Sequence, residues 1–182
     1  SFLAAHPSGN FLFSVTESGG DKATVSGFAI EADGGLAKIN TQPAGGGAPC
    51  HISTDATGKV LLVANYSGGN CKSFPIGDNG KIGPGFLQQH SGSSVDPRRQ
   101  KGPHAHSIIP DPQNKRAFCA DLGLDQILIY EMDITTGKIV PNDPPFAKTP
   151  AGGGPRHFSF HPNGKFAYTN LEMTREIVAM SY

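Results

Sequence analysis

The sequence holds no tryptophan, carries no net charge and contains no apolar run of 18 residues. The missing run excludes a membrane-spanning helix. Fifteen Lys and Arg against fifteen Asp and Glu leave no electrostatic attraction for nucleic acid. Disorder is also excluded, because it goes with high net charge and few β-branched or aromatic residues. The three cysteines Cys50, Cys71 and Cys119 are an odd number without CxxC spacing. They argue against a disulfide scaffold and for reduced thiols in a cytoplasmic protein. No GxSxG elbow is present, which excludes an α/β-hydrolase triad.

What the chain has in excess is turns. Glycine (24) and proline (15) make 39 of 182 residues, about 21%, against roughly 12% in an average chain. The turns recur. HPSGNFLFSVTE at 6–17, DATGKVLLVANY at 55–66, DPQNKRAFCADL at 111–122 and HPNGKFAYTNLE at 161–172 are each a turn followed by an apolar strand. Their turn residues Gly9, Gly58, Asn114 and Gly164 stand 49, 56 and 50 residues apart. Gly and Asn share one property there, tolerance of positive φ. PAGGG at 43–47 returns at 150–154, an offset of 107 residues or two repeats.

One repeat contains strand patterns at 49–54, 60–66, 70–76 and 82–90. The next has them at 104–110, 116–122, 126–133 and, weakly, 138–141. No segment has a convincing helical period. Four strands in roughly 50 residues, repeated, predict an all-β propeller. A sandwich needs no repeat, and solenoid repeats are shorter. Lack of Trp excludes the Trp-Asp repeat type.

In such a fold the first strand of each blade lines the central channel. Cys50, His106 and Arg156 each lie eight residues before their turn residue, so their side chains are expected to converge near the axis. Glu172 aligns in the same way with Glu17, Tyr66 and Leu122 at the far end of the second strand. In GPHAHS, His104 and His106 alternate on a strand and so share a face. They read as an acid/base or anion-binding pair, or as two half-exposed histidines with hydrogen-bonded neighbours. A His-x-His pair also supplies two zinc ligands, with His51, His157 or Asp121 as a third, but nothing fixes the rest of such a set. Arg156 in GGGPRHF suits bidentate binding of carboxylate or phosphate, and otherwise reads as a solvated loop residue. The glycines before it lack the GK[ST] ending of a phosphate loop and read as an inter-blade turn. Asp121 and Asp125 in DLGLD read as turn-forming Asx residues. Arg98-Arg99-Gln100-Lys101 reads as a solvated basic loop, more than as an attractor for an anionic substrate.

Taken together, GGGAPCHISTD, VLLVANYSGG, GPHAHSIIPDP, ADLGLDQILIY and GGGPRHFSFHPNGKFAY resemble the lactonase family of seven-bladed propellers. That family includes bacterial 6-phosphogluconolactonases and a fungal carboxy-cis,cis-muconate cyclase. The resemblance spans essentially the whole chain. It implies a substrate site at the channel mouth served by a His, an Arg and a Glu. These fall on His106 (with His104 as second choice), Arg156 and Glu172 here. The family commonly has Asn before the Glu, where this chain has Leu171. Cys50, His51, His104 and His157 are the further substrate-binding candidates.

The expected function is hydrolysis of a sugar lactone of the phosphorylated kind. His106 would be general base, Arg156 would hold the anion or oxyanion, and Glu172 would orient His106 or relay a proton. The scheme calls for no metal or organic cofactor. Muconate cyclisation and a non-catalytic binding platform are the alternatives. The expected partner is a small anionic lactone or carboxylate. The repeats divide the chain into blades at 1–44, 45–101, 102–149 and 150–182. Seven blades of roughly 50 residues need about 350, so the chain is expected to be half a ring with two open blade faces that self-associate or pair with the remaining blades.

Overall fold

The structure is a computed structural model and describes residues 2–182. Its strands form four antiparallel sheets in chain order. The first holds β1 (Leu3–Ala5), β2 (Phe11–Thr16), β3 (Thr24–Ile30) and β4 (Leu36–Pro43). The second holds β5 (Pro49–Thr54), β6 (Val60–Asn65), β7 (Asn70–Pro75) and β8 (Phe86–Gln89). In the third are β9 (Ala105–Pro110), β10 (Arg116–Asp121), β11 (Gln126–Met132) and β12 (Ile139–Lys148). The fourth has β13 (Pro155–Phe160), β14 (Phe166–Leu171) and β15 (Glu176–Ser181). Among the described residues the sole helical piece is a 3-10 turn, Gly20–Lys22.

The sheets meet face to face, and the core lies between them. On β6 every residue is buried, since its two faces serve two interfaces. Leu61 and Val63 pack with Phe13, Val15, Val25 and Phe74 against the first sheet. Val60, Leu62 and Ala64 pack with Ala105, Ile108 and Tyr130 against the third. On β10, Ala117 and Cys119 face back to the second sheet while Phe118 and Ala120 face Phe158 and Ala167 of the fourth. A two-residue period thus supplies both interfaces of an inner blade. Deleting a fully buried ring such as Phe74 costs about 3–5 kcal/mol. The end sheets are one-sided: in β14, Ala167, Thr169 and Leu171 are buried, while Phe166 and Asn170 are exposed.

The strands β1, β5, β9 and β13 lie beside one another in sequence, so the first strand of each sheet faces a common axis. The turn residues keep their shared conformation, with φ of 75° at Gly9, 73° at Gly58, 54° at Asn114 and 68° at Gly164.

Two strand expectations need correction. The strand expected at 82–90 is reduced to Phe86–Gln89, with Ile82 making an isolated bridge to Ile76. Gly83-Pro84-Gly85 interrupts it, because Pro cannot donate to a ladder. The weak strand expected at 138–141 runs over Ile139–Lys148. Its prolines are tolerated because β12 is an edge strand, bonded to β11 alone.

Candidate active site

A β-bulge opens each of the three inner strands that carry candidate residues. Pro49 pairs with Asn65 and His51 with Ala64, which leaves Cys50 as the extra residue. Ala105 pairs with Asp121 and Ser107 with Ala120, which leaves His106. In β13 the shift spans Arg156 and His157, opposite Asn170. A bulged residue leaves the ladder and its side chain is re-aimed. At β13 the freed backbone N–H of His157 donates to Asn170 Oδ1 at 2.8 Å. The equivalent turn residues come to the same end of the sheets. Tyr66, Leu122 and Glu172 each donate a backbone N–H to the carbonyl of Ala48, His104 or Gly154, just ahead of the inner strand.

The result is a recess of about 230 Å³ lined by Phe2, Glu17, Cys50, His106, Arg156 and His157. The His106 and His157 ring centroids are 5.5 Å apart. Arg156 Nε donates to Glu172 Oε2 at 3.0 Å, and Arg156 Nη1 donates to His157 Nε2 at 2.8 Å. The other Glu172 oxygen accepts from Arg99 Nη2 at 2.7 Å, and the same nitrogen donates to Tyr66 Oη at 3.2 Å. Both Glu172 oxygens therefore serve arginines. The expectation that Glu172 orients His106 is replaced by a carboxylate that orients Arg156 and Arg99.

Charge follows this arrangement. Burial lowers His106 to about 4, and the Arg156 guanidinium pushes the same way. Its Nδ1 is sealed from solvent and has no hydrogen-bond partner. Burial opposes ionisation of Glu172, yet Arg99 and then Arg156 outweigh it and hold the carboxyl below its ordinary range. His157 is lowered by burial and by Arg156. Cys50 is pushed up to about 12 by burial and by Glu17, so it is a thiol and not a thiolate.

The other candidates stand apart from the recess lining. The His104 ring stacks on Tyr66, with centroids 4.6 Å apart, and its Nδ1 bonds the Tyr66 carbonyl at 3.1 Å. His51 Nδ1 accepts from the Ile108 backbone N–H at 3.3 Å, and burial lowers its pKa to about 3. Among the described residues the His104–His106 pair gathers no third metal ligand. The described residues instead gather Cys71, His90 and Cys119.

Two loop expectations also change. Asp121 does close an Asx turn to Gly123 N, but it also accepts from His104 N and bonds His90. Asp125 reaches across to the glycine loop, accepting from Gly152 N at 2.7 Å and Gly154 N at 2.8 Å. That fixes the loop immediately before Arg156. In the second sheet the matching loop is held by amides, with Asn65 Nδ2 donating to the Ala44 carbonyl and Asn70 Nδ2 to that of Gly45. Arg99, expected to be solvated, is the residue that composition and spacing passed over. Tyr66 was signalled by its alignment with Glu172.

Four sheets in chain order, with their first strands on a common axis and a polar recess at one end of those strands, define a partial β-propeller. The chain belongs to the lactonase family of seven-bladed β-propellers, whose family model matches residues 1–182. It is 30% identical over 183 residues to a 6-phosphogluconolactonase of Bacillus subtilis, covering 100% of this chain and 51% of that protein. It is 34% identical to a 6-phosphogluconolactonase of Formosa agariphila, covering 98% of this chain and 52% of that one. Among solved structures, a periplasmic gluconolactonase of Pseudomonas aeruginosa is similar at a TM-score of 0.92 and 30% identity, covering 100% of this chain and 53% of that one. The chain spans about half the length of the curated relatives it matches. No helix of the described residues is long and apolar enough to cross a membrane.

Proposed function

We propose that the chain carries the acid/base and anion-binding part of a lactonase acting on a sugar lactone, with a phosphorylated lactone as the preferred substrate. The observation that carries this reading is the meeting of a neutral histidine, His106, with Arg156 and the Glu172–Arg99 pair around one recess. Relatives named 6-phosphogluconolactonase support the substrate class.

In this reading His106 takes a proton from water as the water attacks the lactone carbonyl, and returns it to the ring oxygen as the acyl–oxygen bond breaks. With Nδ1 sealed, Nε2 is the ring nitrogen left for that role. A histidine held near pKa 4 is neutral at working pH and ready to accept. Arg156 keeps N–H groups beyond those bonded to Glu172 and His157, and these stabilise the oxyanion or hold the substrate's anionic group. Glu172 fixes the Arg156 guanidinium, and Arg99 helps to hold the Glu172 carboxyl below its ordinary range. His157, Cys50, His51 and His104 shape the walls and second layer of the site. No step requires a metal or organic cofactor.

Two arginines at one mouth also suit a dicarboxylate, which keeps muconate cyclisation as the second reading. A platform without chemistry would not need His106 neutral beside Arg156. The proposed partners, besides substrate, are further blades that cover the open faces, where Leu3 and Ile177 are 60% and 75% exposed. Three free thiols favour the cytoplasm. The test is loss of 6-phosphogluconolactone above its spontaneous rate, with a 3-carboxymuconate substrate assayed alongside, for the intact protein and for His106→Ala. Lactone turnover lost in the variant supports the reading. Unchanged turnover sinks the His106 assignment, and turnover of muconate alone replaces the reaction.

A further inference from the structure

A second cluster lies between the second and third sheets, and none of its residues lines the recess. Cys71 of β7 and Cys119 of β10 are fully buried and belong to the same interface core. His90 follows β8, and its side chain is sealed from solvent. One ligand atom from each of the three lies within 4.8 Å of the others. The His90 Nδ1 is bonded to Asp121 Oδ2 at 2.6 Å, and its Nε2 to Tyr130 Oη at 2.9 Å.

Plain core packing accounts for a buried cysteine, which behaves as a small hydrophobe. It does not account for two thiols gathered around a buried imidazole whose other nitrogen is fixed by a carboxylate. That carboxylate–histidine arrangement is what orients a metal-ligating imidazole and strengthens it as a donor. We propose that Cys71, His90 and Cys119, with the Tyr130 hydroxyl as fourth donor, form a Zn²⁺ site that staples the second sheet to the third.

The donor set suits this ion. Two sulfurs and one imidazole select a thiophilic cation over Mg²⁺ or Ca²⁺. Tetrahedral Zn²⁺ takes S at about 2.3 Å and N at about 2.0 Å, so ligand atoms stand about 3.5 Å apart. Binding would draw the cluster in by about an ångström. Charge balances, because both cysteines bind as thiolates and His90 as a neutral imidazole, and every proton they give up leaves to solvent. Two thiolates and a neutral imidazole then cancel the charge of the ion in a dry interface. Four ligands from protein leave no open position, so the role is structural. The ligands come from β7, the segment after β8, β10 and β11, so the ion would add to the apolar contacts and the His90–Asp121 and His90–Tyr130 bonds that already join the two blades.

The experiment uses the intact protein, reduced, stripped with chelator and handled without oxygen. Zn²⁺ is titrated in competition with a chromophoric chelator, and Co²⁺ is added to a second sample as a spectroscopic probe. The expected result is one equivalent bound per chain, with Co²⁺ showing thiolate charge-transfer absorption. Cys71→Ser and Cys119→Ser should each weaken Zn²⁺ binding at least about 100-fold, and Asp121→Asn about 10–100-fold. Cys50→Ser should bind Zn²⁺ as the parent does. The melting temperature of the parent should rise with added Zn²⁺. Binding that survives Cys71→Ser overturns the proposal. If the serine variants fail to fold, the parent alone decides it: a Co²⁺ complex without thiolate absorption, or no stoichiometric binding, overturns it. So does an isolated parent two mass units light, which would mean that the two thiols are joined as a disulfide.

Discussion

The open recess and the sealed inter-sheet cluster both pair a histidine with an acidic residue nearby, yet the two histidines are treated in opposite ways. At the recess the carboxylate of Glu172 is taken by Arg99 and Arg156. His106 then faces burial and a positive neighbour, and both favour its neutral form. In the cluster, burial alone would also lower His90, but hydrogen bonds led by Asp121 outweigh it and raise its pKa to about 9. The type of residue is the same. What differs is whether an arginine reaches the carboxylate first. The recess histidine is thereby neutral at neutral pH, while the cluster histidine is held by its bond to Asp121.

The comparison is sharpened most by removing the recess histidine. His106→Ala should lower kcat/KM for lactone by about 10²–10⁴-fold without altering the unfolding midpoint dependence on Zn²⁺. A loss of both would mean that the two regions are not independent.

Next come the carboxylates. Asp121 and His90 have fully buried side chains, so Asp121→Asn in metal-free protein should cost about 3 kcal/mol in denaturant unfolding. The Glu172–Arg99 pair is partly exposed, and Glu172→Gln should cost at most about 1 kcal/mol. Equal losses would break the distinction between a sealed and an open pair.

The third test is pH. His106 has a folded pKa of about 4 against 6.5 for the free side chain. Its neutral form should persist down to about pH 5, so kcat/KM at pH 5 should stay within about 2-fold of the neutral value as far as this group decides it. An unperturbed histidine would give a loss of about 30-fold. The stability sign is the same: below about pH 6.5 the unfolded chain binds this proton and the folded one does not. The contribution is complete above pH 6.5 and is lost as pH falls toward 4.

Smaller effects concern the arginine scaffold. Arg99→Ala frees one Glu172 oxygen and should lower kcat/KM about 10-fold, since a charge-assisted hydrogen bond contributes about 1.5–3 kcal/mol. Tyr66→Phe removes only the hydroxyl that accepts from Arg99 at 3.2 Å. It should cost about 2–5-fold, the low end for a hydrogen bond because the contact is long. A larger loss for Tyr66→Phe than for Arg99→Ala would show that the tyrosine acts on substrate directly.

Much of this molecule was legible in its sequence, for local reasons. A positive φ at each repeat turn admits Gly or Asn, so Gly9, Gly58, Asn114 and Gly164 recorded the blade period. Apolar alternation recorded the strands, and the constant spacing ahead of each turn brought Cys50, His106 and Arg156 to one level of the axis. What stayed illegible depended on contacts between distant segments. The bulges that re-aim those residues appear only when strands pair. Arg99 lies in a loop of ordinary basic composition, and only packing brings it 73 positions along the chain to Glu172. Cys71, His90 and Cys119 carry no motif spacing, because they come from two different sheets whose faces meet only in the tertiary structure. Sequence by itself determined the repeat, the strands and the level at which candidate groups stand. Tertiary structure alone decided which charge meets which, because the pKa of a side chain is set by its desolvation and its nearest charges.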